Sequence, residues 1–167
     1  MVVKKLDRDF IEIFNEMKDD IYRLVYSYMK NTYDTDDIIQ NVFIKLYNQF
    51  HLLNDDEHIK RWLIRVSINE CKSHFLSSWR KKIIPLDNKF DDEFMTQETL
   101  YGDNDILQAV FTLPKKYRIV VHLYYYEDYK IAEIAEVLKI KETTIQTQLQ
   151  RAREKLKNIL KEDFDYE

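Results

Sequence analysis

The side chains best placed to do chemistry are the polar ones at the non-core positions of residues 142–160. Amide groups can hydrogen-bond the edges of DNA bases, and guanidinium groups can hold phosphates. Residues 139–161 also carry seven Lys or Arg against two Glu, which suits a polyanionic ligand. The solvated face of an ordinary helix hairpin has a similar composition, so spacing alone leaves both interpretations open. The candidate residues are Thr144, Gln146, Thr147, Gln148, Gln150, Arg151 and Arg153.

A second group of side chains, in residues 61–82, is suited to binding unpaired nucleotides. Trp62, Arg65, Asn69 and Lys72 lie three to four residues apart, so a helix places them on one face. Single-stranded DNA is bound by stacking bases on aromatic or Arg planes while cations follow the backbone. Trp and Arg also occur together in ordinary protein contacts, and the pattern leaves that interpretation open too.

Catalytic and metal chemistry find no support in the sequence. No nucleophile, base and orienting group are arranged as a catalytic set, so we expect a binding protein without a cofactor and not an enzyme. His51 and His58 have no Cys or carboxylate partner at ligand spacing, and we expect no metal site there. The single cysteine, Cys71, is expected to be a small buried hydrophobe.

The elements that must position these side chains are helices. One Gly and two Pro in 167 residues leave few turn formers, which favours long helices and an all-α fold. Apolar residues at helical spacing predict helices over 10–30, 37–50, 61–82, 106–111 and 114–126, with a polar loop over 51–60. Thr35 or Asp36 is the predicted cap of the second helix. Residues 129–160 predict two helices joined by a short polar turn, which must cross as a helix-turn-helix.

Charge separates the chain into parts. The formal net charge is -4, but residues 83–105 hold one basic and seven acidic side chains and lack helical periodicity. We therefore predict two small helical domains, 9–82 and 104–162, joined by a flexible acidic linker over 83–103. Screening acts over about 8 to 10 Å, so an acidic linker need not cancel a basic helix. No apolar run predicts a membrane span or signal peptide, and we expect a cytoplasmic protein without membrane insertion.

Several motifs together resemble bacterial sigma factors of the sigma-70 family, in the extracytoplasmic-function group. The run Ile-Ala-Glu-Ile-Ala at 131–135, the Thr-Ile start at 144–145 and the Arg-Ala-Arg-Glu-Lys-Leu ending at 151–156 resemble region four. Residues 36–47 resemble region 2.2, and residues 61–82 resemble regions 2.3 and 2.4. The resemblance extends from about Phe10 to Leu160.

That resemblance implies a promoter-specificity subunit that binds core RNA polymerase through its β′ and β subunits. Region 2 would dock on a β′ coiled coil and capture the single-stranded -10 element, and region 4 would bind the -35 duplex. An anti-sigma factor is a further implied partner. The implied polymerase-binding residues are Asp36, Asp37, Gln40, Asn41 and Lys45. The implied -10 residues are Trp62, Arg65, Asn69, Lys72, Arg80 and Lys81, with the loop 52–60 before them.

Some positions depart from the family pattern. Asn41 stands where an acidic residue is usual, and Gln146 and Gln148 replace common cations, which predicts a weaker and less salt-sensitive grip on DNA. Lys139 and Thr143 occupy places where Gly is frequent, so we expect left-handed backbone there at a cost of about 1 kcal/mol. Two alternatives stay open: a dimeric helix-turn-helix repressor or activator working without polymerase, and a degenerate sigma-like module that binds polymerase without directing initiation.

Overall fold

The structure is a computed structural model that describes residues 9–81 and 105–164. Within those ranges every regular element is helical and there is no strand, which confirms the predicted all-α fold. Residues 9–81 lie in one compact unit and residues 105–164 in another. The predicted linker over 83–103 lies outside the described residues.

The first unit begins with α1 (Phe10–Met29) and α2 (Thr32–Gln49). Helix α1 ends at Lys30, which has left-handed backbone (φ 57°, ψ 22°) and donates its N–H to the carbonyl of Tyr26. The next residue, Asn31, caps α2, because its side-chain oxygen accepts the N–H of Asp34 at 2.7 Å. The predicted cap at Thr35 or Asp36 is therefore wrong. Thr35 lies inside the first turn, where its hydroxyl donates to the carbonyl of Asn31 at 2.7 Å.

A short 3-10 turn (Phe50–Leu52) connects α2 to α3 (Asp56–Lys81). Helix α3 begins five residues before the predicted start at Arg61, because the carboxylate of Asp55 accepts the N–H of His58 at 2.8 Å and caps the helix there. Ile59, in the first turn, is fully buried. The predicted polar loop over 51–60 is thus correct only in its first half.

The three helices of the first unit pack around one apolar core. Cys71 belongs to this core, as predicted, and is 1% exposed. Because each helix buries one side in the same core, α2 and α3 each present their opposite side to solvent. The fully buried large side chains of this core include Ile13, Ile21, Leu24, Ile38, Leu46, Leu63, Ile64 and Ile68.

The second unit contains α4 (Asp105–Thr112), α5 (Lys115–Val121), a π-helical turn (His122–Tyr126), α6 (Ile131–Leu138) and α7 (Glu142–Phe164). Helices α4, α5 and α6 all pack against α7. Ile134 of α6 and three residues of α7, Ile145, Leu149 and Ala152, are at most 1% exposed. Helices α6 and α7 form the predicted helix-turn-helix.

The turn between α6 and α7 reverses at Lys139, which has left-handed backbone (φ 58°, ψ 44°) as predicted. Its N–H donates to the carbonyl of Ala135, and Ile140 donates to the same carbonyl at 3.1 Å. Thr143 is not left-handed, so the prediction for that residue is wrong. The reason is that α7 begins at Glu142, which places Thr143 inside its first turn.

Candidate nucleic-acid and partner interfaces

The outward face of α3 carries the predicted base-capturing group. Arg65 and Asn69 are exposed, and Trp62 and Lys72 are half-buried, so the structure brings all four to one helix face. Leu76 lies on the same face and is 61% exposed, although its spacing predicted a core position. Arg80 and Lys81 are the last two residues of α3, and their side chains are outside the described part of the structure. The role of this face in binding DNA stays a prediction.

The outward face of α2 carries all five predicted polymerase-binding residues, and each of them is exposed. Two of the five also contact neighbouring helices. Burial, together with a hydrogen bond and the negative charge of Asp36, raises the pKa of Tyr22 on α1 to about 12. Lys45 forms an ion pair with Glu70 of α3. Asp37, Gln40 and Asn41 therefore form the middle of this face, between two residues that are tied to the rest of the unit.

Sequence reasoning missed two large side chains on the same face of α2. Tyr33 is 85% exposed and Ile44 is 59% exposed. They lie four residues before and seven residues after Asp37, which places all three on one stripe. Helical spacing counted outward from Asp37 would have found both residues. Tyr47, predicted as core, is 67% exposed at the end of this stripe.

Helix α7 presents most of the predicted duplex-binding residues to solvent. Thr144, Gln146, Thr147, Gln150, Arg151 and Arg153 are exposed. Gln148 differs from these residues, because it is only half-exposed. Its side-chain amide oxygen is buried and has no hydrogen-bond partner among the described residues. The side chain of Gln148 thus lies against the domain, which is a poor position for the base contact that the sequence predicted.

Arg153 is held by aromatic side chains of its own unit. Its Nε donates a hydrogen bond to the Tyr125 hydroxyl at 2.7 Å. Its guanidinium carbon also lies 5.7 Å from the ring centres of both Tyr124 and Tyr125. Both tyrosines belong to the π-helical turn, an element that sequence reasoning did not foresee. Arg153 therefore packs on this turn, and its predicted contact with DNA would have to be made from that position.

Arg151 lies on the other flank of α7, since two residues along a helix turn the side chain by about 200°. Its guanidinium hydrogen-bonds the hydroxyl of Tyr117 on α5, and this bond lowers the pKa of Tyr117 below its ordinary value against the opposing effect of burial. Lys116 adds to the lowering, and its Nζ lies 5.0 Å from the centre of the Tyr117 ring. Sequence reasoning missed both residues: Tyr117 is 6% exposed and follows a core spacing, and Lys116 lies outside the helices for which DNA contacts were predicted.

Neither a metal-binding cluster nor a helix able to span a membrane occurs among the described residues. In residues 9–81 and 105–164, no three His, Cys, Asp or Glu side chains come together in a way that could hold a metal ion. None of the helices described in those two ranges is long and apolar enough to cross a membrane. Most of the predicted site residues lie on exposed helix faces of two helical units, the second of which is a helix-turn-helix.

Comparison with known proteins gives this architecture a family. Residues 13–81 match the family model "Sigma-70 region 2", and residues 103–156 match "Sigma-70, region 4". RNA polymerase sigma factor SigV of Bacillus subtilis (strain 168) is 32% identical, over 92% of this chain and 93% of the relative. The ECF RNA polymerase sigma factor SigW of the same organism is 31% identical, over 96% of this chain and 94% of the relative.

Solved structures share the fold. The sigma factor RpoE, solved with the anti-sigma factor NepR from Bartonella quintana, has a TM-score of 0.73 at 20% identity, covering 92% of this chain and 97% of RpoE. CnrH, solved with the cytosolic domain of CnrY, has a TM-score of 0.56 at 18% identity, covering 92% of this chain and 88% of CnrH.

The chain belongs to the sigma-70 family of RNA polymerase sigma factors, in the extracytoplasmic-function group. It is a promoter-specificity subunit that directs transcription initiation, and it is not an enzyme. The interpretation drawn from the sequence motifs is confirmed. The alternative of a helix-turn-helix regulator acting without polymerase is not supported, because the matches cover region 2 as well as region 4.

Proposed function

We propose that the two units divide the work of promoter recognition. Residues 9–82 bind core polymerase and the -10 element, residues 104–162 bind the -35 duplex, and residues 83–103 connect them. The observation that carries this proposal is the difference between the two outward faces of the first unit. Helix α2 presents two carboxylates, two amides and Lys45, whereas α3 presents an aromatic ring, an amide and two cations. The first set fits a protein partner and the second fits unpaired DNA.

The α3 face supports capture of an unstacked base. The Trp62 ring supplies a stacking surface, and stacking of one base on an aromatic ring contributes about 1 to 3 kcal/mol. The amide of Asn69 can both donate to and accept from a base edge, so it can discriminate between bases. Arg65 and Lys72 stand beside it as phosphate partners. The segment before this face is held by the cap at Asp55, whose carboxylate accepts the N–H of His58 at 2.8 Å.

The α2 face supports docking on polymerase. Its polar centre of Asp37, Gln40 and Asn41 is flanked by the exposed apolar groups of Tyr33 and Ile44. Exposed aromatic and other large apolar side chains beside polar groups are typical of protein-binding surfaces. Asn41 replaces the usual acidic residue without interrupting this surface. The proposed partner is the β′ subunit of core polymerase.

The α7 face supports duplex binding in the major groove, where the second helix of a helix-turn-helix lies. Gln146, Thr147 and Gln150 are exposed and can reach base edges, and Gln pairs bidentately with adenine. Arg151 is placed for a phosphate. Gln148, with its buried amide oxygen, is not proposed as a base-reading residue.

We also propose regulation by an anti-sigma protein and action in the cytoplasm. RpoE and CnrH, which share this fold, were each solved with a protein partner. A partner that covered the outward faces of α2 and α3 would block polymerase and DNA at the same time. RNA polymerase, the partner that the family requires, works in the cytoplasm.

The decisive experiment mixes the purified full chain with core RNA polymerase and a genomic promoter library, and sequences the 5′ ends of the transcripts. We expect discrete starts that share paired upstream elements and that disappear when the chain is left out. Polymerase binding without discrete starts would instead indicate the degenerate module and overturn the promoter assignment. Absence of polymerase binding would overturn the assignment of the α2 face.

A further inference from the structure

A polar cleft of 310 Å³ lies between α5 and the first turns of α7. The cleft is lined by Lys116 and Tyr117 from α5 and by Thr143, Thr144, Thr147, Gln148 and Arg151 from α7. No acidic side chain is among these seven residues, and Glu142, which opens α7, is not part of the lining. The cleft therefore joins two cations from different helices with hydroxyl and amide groups.

The two cations converge on one tyrosine. The Arg151 guanidinium hydrogen-bonds the Tyr117 hydroxyl, and Lys116 lies over the ring of the same tyrosine with its Nζ 5.0 Å from the ring centre. Tyr117 is itself fixed by burial, since only 6% of it is exposed. The hydroxyl of a ring fixed in this way limits the rotamers of the long Arg151 side chain that bonds it. Arg151 is thus positioned in the cleft before any ligand arrives.

The lining has the chemistry of a phosphate site. A guanidinium offers a planar fork of donors that matches phosphate oxygens, and an ammonium adds a point charge. Thr143 and Thr144 lie in the first turn of α7, where hydroxyls and the positive end of the helix dipole also favour an anion. A cleft open on one side suits a phosphate that remains part of a polymer.

We infer that this cleft seats one backbone phosphate of the -35 duplex. Lys116 contacts that phosphate directly, and Tyr117 is a positioning residue that acts through Arg151. The inference rests on the proposal that the second unit binds the -35 duplex, and it adds Lys116 and Tyr117 to the residues that do so. The seat fixes the register of α7 on the DNA, while Gln146 and Gln150 read bases.

The first test measures how the affinity of the holoenzyme for a -35 duplex depends on salt. Lys116→Ala is expected to weaken binding and to reduce the slope of log affinity against log salt by about 0.9, the value for one phosphate contact. Lys115→Ala is the matched control, because Lys115 is the neighbouring exposed lysine of α5 and does not line the cleft. An equal loss of slope in both variants would show a diffuse charge effect and overturn the inference.

The second test uses duplexes that carry one uncharged methylphosphonate at each backbone position in turn. The unsubstituted protein is expected to lose affinity at one phosphate in particular. Lys116→Ala should respond more weakly to the substitution at that position, because Arg151 alone then holds the phosphate, whereas Lys115→Ala should respond as the unsubstituted protein does. A response of Lys116→Ala that matches the unsubstituted protein at every position would rule out the seat.

The positioning role of Tyr117 is tested by Tyr117→Phe, which keeps the ring and removes the hydroxyl. We expect about a threefold to tenfold loss of affinity, the effect of one hydrogen bond, with an unchanged salt slope because no charge is lost. In an Arg151→Ala background the same substitution should have no further effect, since the hydroxyl acts through Arg151. Additive losses would show that Tyr117 does not act through Arg151.

Failure of this inference can be told apart from failure of the proposed function. If the holoenzyme shows no preference for a -35 duplex, and Gln150→Ala changes nothing, the assignment of the second unit is wrong. If Gln150→Ala alters the preferred -35 sequence while Lys116→Ala and Tyr117→Phe bind normally, the second unit binds DNA and only the phosphate seat is wrong.

Discussion

Replacing Lys139 with Gly is expected to stabilise the second unit. Lys139 is the residue at which α6 ends, and its backbone is left-handed at φ 58° and ψ 44°. A side chain with a Cβ is strained in this conformation, whereas Gly adopts it freely. The turn itself needs the conformation, because Lys139 and Ile140 both donate to the carbonyl of Ala135. The substitution therefore relieves strain and leaves the hydrogen bonds of the turn in place.

The size of the effect follows from two opposing contributions. Left-handed backbone costs a residue other than Gly about 1 to 2 kcal/mol. The greater freedom of Gly in the unfolded chain offsets about 0.4 to 1 kcal/mol of that relief. The expected net gain in the free energy of unfolding is therefore about 0.5 to 1 kcal/mol, or about a twofold to fivefold change in the unfolding equilibrium.

The assay is native-state hydrogen exchange on the full chain, because it reports the free energy of opening separately for α6 and α7. Amides of these helices that exchange by global opening of the unit should exchange about twofold to fivefold more slowly in Lys139→Gly. Lys139→Ala is the matched control: it removes the same side chain but keeps a Cβ in the left-handed region, so no relief is expected. Thr143→Gly should lower the free energy of unfolding by about 0.3 kcal/mol, because Thr143 lies inside α7 and Gly favours a helix less than Thr does.

Faster exchange in Lys139→Gly than in Lys139→Ala would refute the assignment of backbone strain to Lys139. That assignment would equally be refuted by a stabilising effect of Thr143→Gly, since that result would place the left-handed residue at Thr143. Circular dichroism of each variant should retain the helical content of the unsubstituted protein, because both positions lie at or next to a helix end.

Three further predictions address the first unit. Asn69→Ala should impair promoter opening while leaving the affinity for core polymerase near normal. Asn15 is an exposed amide on α1, and Asn15→Ala should change neither property. Permanganate reactivity of unpaired thymines reports promoter opening, and a polymerase-binding assay reports the affinity. Ile44→Asp should weaken core polymerase binding at least tenfold, as loss of an interface anchor does. Ile11 is 57% exposed and Ile44 is 59% exposed, so Ile11→Asp is a matched control that should not weaken binding. Equal losses of affinity in the two variants would show that Ile44 is not part of the interface. Burial raises the pKa of Tyr28 to about 12, so the folded state favours the protonated phenol. The contribution of this preference to the free energy of unfolding is present below about pH 10 and is lost as pH rises through about 12. Tyr28→Phe should remove a late-titrating tyrosinate from the ultraviolet absorbance titration, and an unchanged titration curve would contradict the assignment.

Much of the fold was predictable because helices are encoded locally. Apolar residues three and four apart identified α1, α2, α3 and the helix-turn-helix, and the buried residues Ile38, Leu63 and Ile145 are the ones this spacing selected. The errors in the bounds of α2 and α3 were at their first turns. Asn31 and Asp55 cap their helices with single hydrogen bonds, and several nearby Asp, Asn and Thr residues could have done so equally well. Sequence alone does not rank such competing caps.

The sequence predicted which site residues share a helix face, but not which side chains they contact. Spacing placed Trp62, Arg65 and Asn69 on one face of α3 because that relation depends only on helical geometry. The same argument treated Arg151 and Arg153 as equivalent members of one surface. The structure separates them, because Arg151 bonds Tyr117 and Arg153 bonds Tyr125.

The sequence by itself determined the all-α class, the helix-turn-helix and the family of this sigma factor, since these follow from local periodicity and from motifs of contiguous residues. Only the tertiary structure decided which of the polar side chains on these faces contact other helices of the protein and which stay exposed for a partner. The Arg153–Tyr125 contact joins residues 28 apart, and the Lys45–Glu70 pair joins residues 25 apart. Such pairs form only when helices pack at a particular angle and register, and that geometry arises from the whole core at once.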